Sequence, residues 1–230
     1  MQPEALPVRG DARDQRGPVG AQLLAIYDRL LGAFGPQGWW PADSPFEVCV
    51  GAILTQNTSW ANVRQAVENL KQGNLLSPLA LGELPREVLA QFIRPAGYYN
   101  IKAARLQNFV AFLLEVFRGD LDAMFSGRCE DLREQLLTVR GIGPETADSI
   151  LLYAGHKPTF VVDAYTVRAL RRHDLINDDA DYEEVRAFFL DHLPSDVALF
   201  NEYHALWVML GKRYCRKGSP MCPACPLEGL

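Results

Sequence analysis

Apolar residues recur along the chain at three- and four-residue spacing. From Ala21 the series Leu23, Leu24, Tyr27, Leu30, Leu31 and Phe34 marks one face of a helix, which Gly35-Pro36 closes. The same period predicts further helices at about 45–55, 59–72, 78–82, 86–94, 100–117, 121–125, 129–138, 144–154, 163–173, 181–192 and 196–212. Nearly every one stops at Gly, Pro or Asn. Only Thr159-Phe160-Val161-Val162 has the β-branched character of a strand, and four residues are too few to decide it. The pattern predicts an all-α protein, an irregular assembly of helices with short connections and no repeat at solenoid period. Residues 1–20 differ: Pro3, Pro7, Gly10, Gly17 and Pro18 interrupt balanced charges without periodicity, which predicts a mobile N-terminal tail.

With 230 residues, 48% of them hydrophobic, the chain has material for one or two domains and a sizeable core. No apolar run reaches the length of a membrane span, and the first twenty residues carry charges where a secretory signal needs an apolar stretch. Nothing points to an obligate oligomer, so a monomer is expected. Cysteines stand at 49, 129, 215, 222 and 225, an odd set crowded at one end that makes a poor disulfide framework. A reducing compartment with a metal or cluster site fits them better. Cys49 and Cys129, set in apolar or isolated contexts, are expected to be packing residues.

A net charge of -5 argues at first sight against a nucleic-acid partner. Nine acidic residues against Arg186 between Asp174 and Glu202 nevertheless sum to -8, which leaves +3 for everything else. Basic residues flank that arc, Arg168, Arg171 and Arg172 before it and Lys212, Arg213, Arg216 and Lys217 after it.

Three segments carry candidate chemistry. Val139-Arg140-Gly141-Ile142-Gly143-Pro144-Glu145-Thr146 sets a Gly-x-Gly turn between two helices. Its glycines permit positive φ and let backbone amides approach a ligand closely, and Pro144 suits the first helical position, whose dipole attracts an anion such as phosphate. A plain helix-to-helix turn would look the same. Asp163, in Val162-Asp163-Ala164-Tyr165, stands where a helix N-cap is expected; if the two helix starts lie side by side, its carboxylate comes near a bound phosphodiester. Finally, Cys215-x6-Cys222-x2-Cys225 offers three thiolates with basic residues among them, a spacing that implies zinc or an iron-sulfur cluster.

Taken together, these segments resemble the helix-hairpin-helix (HhH-GPD) DNA glycosylases of the endonuclease III superfamily, from about Ala21 to the end. The resemblance implies a two-lobed all-α fold: a six-helix barrel lobe at 37–157 carrying the hairpin, and a cluster lobe made of 21–36 plus 158–230. It also implies a [4Fe-4S] cluster on Cys215, Cys222 and Cys225, with a fourth Cys expected just beyond Leu230 because the family spacer of five residues is complete; zinc is the lesser alternative. The implied partner is double-stranded DNA containing a damaged base, in the cytoplasm or another reducing compartment that holds DNA.

Residue by residue, Asp163 matches the family's catalytic aspartate. Gln56, in Ala52-Ile53-Leu54-Thr55-Gln56-Asn57, matches the residue that fills the space left by the flipped nucleotide. Gly97-Tyr98-Tyr99-Asn100-Ile101-Lys102 resembles the second DNA-facing loop. The implied DNA-binding set is Gln56, Asn57, Tyr99, Lys102, Arg140, Gly141, Ile142, Gly143, Thr146, Arg216 and Lys217.

One position departs from the bifunctional members: Glu145 stands where their Schiff-base lysine would be. A carboxylate cannot form an imine with C1' of the sugar, so a monofunctional glycosylase is expected. Glu145, with Trp39, Trp40, Trp60 and Tyr165, is assigned to the base pocket, and the indoles and the glutamate resemble the 3-methyladenine glycosylase branch. Purines alkylated at N3 or N7 are cationic, and aromatic faces with a nearby carboxylate suit a flat cation. Trp207, at helical spacing with Leu206 and Leu210, is read as core. The alternatives that remain are an endonuclease III-like glycosylase for oxidised pyrimidines with weak lyase activity, and a catalytically impaired lesion-binding protein.

Overall fold

Ser and Asp side chains start most of the helices. Ser44 caps α2 (Pro45–Leu54), Ser59 caps α3 (Trp60–Gln72) and Ser77 caps α4 (Pro78–Glu83), each accepting from an amide in the first turn. In the computed structural model, which describes residues 17–230, α1 (Gly17–Phe34) comes before these. They are followed by α5 (Arg86–Phe92), α6 (Tyr99–Phe117), α7 (Leu121–Phe125), α8 (Cys129–Thr138), α9 (Pro144–Ser149), α10 (Ala164–Arg172), α11 (Tyr182–His192) and α12 (Val197–Arg213). Every helix expected from the apolar period is present within a few residues of its expected bounds, and no strand occurs among the described residues.

Three local differences have physical causes. Helix α1 begins at Gly17, inside the segment expected to be a mobile tail; Pro18 fits the first turn, where its missing N–H costs nothing, and Gly20 is already buried. The rest of that expected tail lies outside the described residues. Past Ser149 the helix of the hairpin widens into a π-helical turn, Ile150–Ala154, all five residues buried. Apolar spacing does not distinguish that turn from a continuing α-helix. The candidate strand at Thr159–Val162 runs without regular structure, its Thr159 hydroxyl accepting from buried Arg186 at 2.9 Å.

Two compact units divide the described chain. One is continuous, Trp40–Lys157, and holds α2 to α9. Its core draws on Ile53 and Leu54 of α2, Leu106, Phe109 and Leu113 of α6, Leu136 of α8 and Ile150 and Leu151 of the π turn, all fully buried. A buried ion pair joins the two helices of the hairpin: Arg133 on α8 meets Asp148 on α9 through contacts of 3.0, 3.1 and 3.2 Å. The other unit combines the residues up to Trp39 with Pro158–Leu230, so that α1 packs on α11 and α12. Its centre is aromatic. Phe160 stacks on Phe189 at 3.7 Å between ring centroids, Tyr203 stacks on Trp207, and the Tyr203 hydroxyl donates to Leu23 O at 2.8 Å. Trp207 is fully buried, in keeping with a core role.

Candidate active site

In the unit 40–157, the Gly-x-Gly turn links α8 to α9 through the hydrogen bond from Ile142 N to Val139 O at 2.9 Å. Gly141 has φ +100, and a Cβ there would collide with the aliphatic stem of Arg105 from α6. Glycine is therefore demanded twice at this position, by conformation and by packing. Gly143 differs: its φ is -100 and a Cβ would meet nothing within 4 Å. Open space lies beside it, and as N-cap of α9 it leaves that helix without a side-chain cap. Asn108 on α6 holds the turn by donating to Arg140 O at 2.8 Å, while the Arg140 side chain is exposed.

Gln56 belongs to the same constellation. Its Nε2 donates to Gly141 O at 3.1 Å and to Thr146 Oγ1 at 2.9 Å, and its Oε1 accepts from Arg105 Nη1. The side chain expected to fill a vacated base position is thus held against the hairpin by three hydrogen bonds. Beside it, Gln56, Asn57, Tyr98, Ile101, Lys102 and Arg105 line a cavity of about 210 Å³. Asn57 and Tyr98 both adopt the left-handed region, with φ 54 and 45, conformations in which non-glycine residues concentrate at functional loops. Tyr98 is 69% exposed and Ile101 53% exposed, whereas Tyr99 is half-buried.

Three residues expected to touch DNA turn inward. Lys102 is 1% exposed, and its ammonium donates to Leu54 O at 2.9 Å and Ala96 O at 2.8 Å. It ties the Gln56 turn to the Gly97–Tyr99 loop instead of facing a phosphate. Burial, and after it the Arg105 charge, lower it to about 8. Ile142 and Thr146 are buried as well, and the Thr146 hydroxyl accepts from Gln56. Lysine, isoleucine and threonine at these positions read equally well as contacts or as supports, and burial separates the two.

The residues expected around the base fall into both units. Trp40 meets Trp60 edge-on at 5.0 Å and Tyr153 at 5.3 Å, and its indole lies against Gly51, where a Cβ would stand 3.0 Å away. Trp40 and Trp60 remain half-buried, and Glu145 in the first turn of α9 is exposed. Trp39, half-buried, belongs to the other unit. So does Tyr165, whose ring packs against Gly211 of α12 under the Arg168 guanidinium, 5.1 Å from its centroid.

Asp163 is the N-cap of α10. Its Oδ1 accepts from Thr166 N at 2.7 Å and from Thr166 Oγ1 at 2.9 Å, and its Oδ2 lies 3.6 Å from His204 Nε2 on α12. Both side chains are nearly buried, 11% and 9% exposed. Burial alone would raise the carboxyl, but His204 and the Thr166 bonds outweigh it and hold it below its ordinary 3.8. His204, Arg105 and the Arg133–Asp148 pair were not expected from the sequence. A histidine on the apolar face of α12, one turn before Trp207, and an arginine one turn after Lys102 on α6 were the available signals.

At the C-terminal end Arg172 donates to Cys215 Sγ at 3.3 Å, to Arg216 O at 2.8 Å and to Lys217 O at 3.2 Å. Arg168 donates to Cys215 O at 2.7 Å. These bonds fix the start of a loop on which Arg216 and Lys217 are exposed. Cys215 is buried, Cys225 half-buried and Cys222 exposed; burial and then the neighbouring Cys215 and Cys222 sulfurs push the Cys225 thiol up. By donor type, the three thiols suit an iron-sulfur or zinc centre. Among the described residues, no group of three or more His, Cys, Asp or Glu stands in an arrangement that holds a metal.

Comparison with known proteins agrees with this anatomy. The model of the HhH-GPD superfamily base excision DNA repair protein matches residues 50–195. A protein of Methanocaldococcus jannaschii, named as a DNA repair glycosylase, is 46% identical over 90% of this chain and 94% of its own length. The crystal structure of Helicobacter pylori 3-methyladenine DNA glycosylase bound to 1,N6-ethenoadenine superposes with a TM-score of 0.72 at 30% identity, covering 84% of this chain and 97% of that one. A non-covalent endonuclease III–DNA complex shares the fold, with a TM-score of 0.77 at 24% identity over 90% and 92% of the two chains.

Proposed function

The chain belongs to the HhH-GPD superfamily of base excision DNA repair proteins and is a DNA N-glycosylase, and from that premise we propose that it is a monofunctional enzyme acting on alkylated purines in duplex DNA. The observation that carries the hydrolytic part is Asp163, a nearly buried carboxylate held below its ordinary range and hence ionised at neutral pH. The C1'–N bond breaks with its electron pair leaving on the base, and the negative charge of Asp163 stabilises the oxocarbenium-like sugar. Water then adds its oxygen to C1' and gives up a proton, to Asp163 or to solvent. A cationic alkylated base departs neutral and needs no proton from the protein. The products are the free base and an abasic site in an intact strand.

Glu145 supports the monofunctional assignment, because it places a carboxylate at the start of α9 where an imine would require an amine. Of the three lysines in the unit 40–157, Lys102 is spent on two carbonyls and Lys71 on Asp43 and Glu47, at 2.7 and 2.8 Å. The half-buried indoles of Trp40 and Trp60 favour a flat, cationic base. The similarity to a 3-methyladenine glycosylase points the same way. DNA would be held at the Gly143 turn, where the backbone is open to a phosphate, and by the exposed Arg140, Arg216 and Lys217. Cys215, Cys222 and Cys225 would hold three corners of a [4Fe-4S] cluster. Such a group, when bound, supplies a covalent closure of the loop carrying Arg216 and Lys217.

Duplexes with a single methylated, ethenylated, oxidised or deaminated base, incubated with the enzyme and resolved with and without alkali, test this reading. Alkali-labile sites at alkylated purines, absent with Asp163→Asn, are expected. Strand breaks without alkali would overturn the monofunctional assignment, and release confined to oxidised pyrimidines would overturn the substrate class. Binding without release from any duplex would make the chain a lesion-binding protein.

A further inference from the structure

Asp163 has two oxygens and two kinds of partner. Oδ1 is taken by the amide and hydroxyl of Thr166, both within its own helix start. Such bonds cap a helix and would be made whatever the protein did. Oδ2 is engaged from a different element, by the imidazole of His204 at 3.6 Å. A histidine is a weak choice for filling the apolar surroundings of α12, where Tyr203 and Trp207 are fully buried on either side of it in sequence. We infer that His204 is a positioning residue of the glycosylase, the group that fixes Oδ2 and keeps Asp163 charged within a nearly dry surrounding. This inference rests on the reading of Asp163 as the carboxylate facing the sugar.

The remaining charged groups on the elements packed here are occupied elsewhere. On α10, Arg168 donates to Cys215 O, Arg171 to Ala180 O and Arg172 to the 215–217 loop. On α1, Tyr27 and Asp28 lie toward Tyr203 and Glu202. On α12 itself, Glu202 accepts from Gln37 N at 2.6 Å, and Lys212 and Arg213 are exposed at its far end. Against Asp163, only His204 and Thr166 counter the effect of burial. Removing the imidazole therefore leaves the desolvation in place and takes away its largest counterweight.

The test is the titration of Asp163 itself, followed by carboxyl carbon NMR and assigned by its absence in Asp163→Asn. In His204→Leu the midpoint should rise, and in His204→Gln, which keeps a donor, by less. Single-turnover release of 7-methylguanine from a duplex should show its acid limb displaced by the same amount in each variant. A residue that only fills space would lower the melting temperature without moving either curve, so coincident midpoints in wild type and His204→Leu overturn the inference. If His204→Leu does not fold, His204→Gln carries the test, and a midpoint coincident with wild type overturns the inference. Full excision by Asp163→Asn would instead defeat the assignment of Asp163 to the chemistry while leaving the titration result standing.

Discussion

Asp148→Ala should cost the protein several kilocalories per mole and loosen the hairpin. Asp148 is fully buried and Arg133 9% exposed, and they meet through three N–O contacts between 3.0 and 3.2 Å. Removing the carboxylate takes three close contacts from a nearly buried guanidinium. A buried pair broken on one side costs roughly 3–5 kcal/mol, which at about 2–4 °C per kcal/mol for a chain of this size lowers the melting temperature by ~6–20 °C. The pair replaced on both sides, Arg133→Met with Asp148→Leu, removes both buried charges and should recover most of that loss. The measurement is thermal melting followed by far-ultraviolet circular dichroism for wild type, both single variants and the double. Loss below about 1 kcal/mol for Asp148→Ala, or a double variant no better than the singles, would show that the pair does not hold α8 to α9. The functional readout is fluorescence anisotropy with duplex DNA, because Asp148 shares a helix with Glu145 and Thr146.

Gly141→Ala should weaken DNA binding and stability together, by well over 1 kcal/mol in stability, since it forces φ +100 on a residue with a Cβ and displaces the Arg105 stem; anisotropy and a melt check it, and a wild-type melt would refute the steric argument. Glu145→Lys should open the imine route, so that borohydride traps a covalent DNA adduct that wild type does not form. Lys102 titrates near 8 in the fold against an ordinary 10.5. Between those values the unfolded chain binds more protons, so stability should rise by about 1.4 kcal/mol per pH unit. Lys102→Met should flatten that rise, as read from urea midpoints at pH 7.5 and 9.5.

Helices were legible because each signal is local: Ser44, Ser59, Ser77, Asp163, Asp181 and Asp196 cap the helices that follow them, and apolar spacing sets their faces. The π turn was not, because five buried residues satisfy the α and the π ladder with the same composition. Asp163 and Gln56 were readable as site candidates through the resemblance of their segments to the family. Their supports were not, since His204 lies 41 positions from Asp163 and Arg105 49 from Gln56, distances at which no periodicity operates. Lys102 shows the converse error. A lysine in a loop rich in Tyr and Asn reads as a phosphate contact, and only the folded backbone reveals two carbonyls waiting for an ammonium.

The acidic total has the same kind of explanation. Asp181 accepts from Glu184 N while the Glu184 carboxylate accepts from Asp181 N, closing a capping box on α11. Asp196 accepts from two amides at the start of α12, and Glu202 takes the Gln37 amide. Glu183 lies 4.0 Å from Arg186. Much of the negative charge between 174 and 202 is therefore spent on helix starts and local pairs within one unit, where it complements backbone dipoles. The side chains of Arg140, Arg216 and Lys217 are instead exposed, and Arg216 and Lys217 lend their backbone carbonyls to Arg172. Net charge then misleads because many of these acids are engaged at helix starts and in local pairs, while the proposed DNA-binding bases keep their charges exposed. The consequence is measurable: neutralising Arg216 and Lys217 should reduce the salt dependence of duplex binding by about two counterions, while neutralising Asp178 and Asp179 should leave it unchanged.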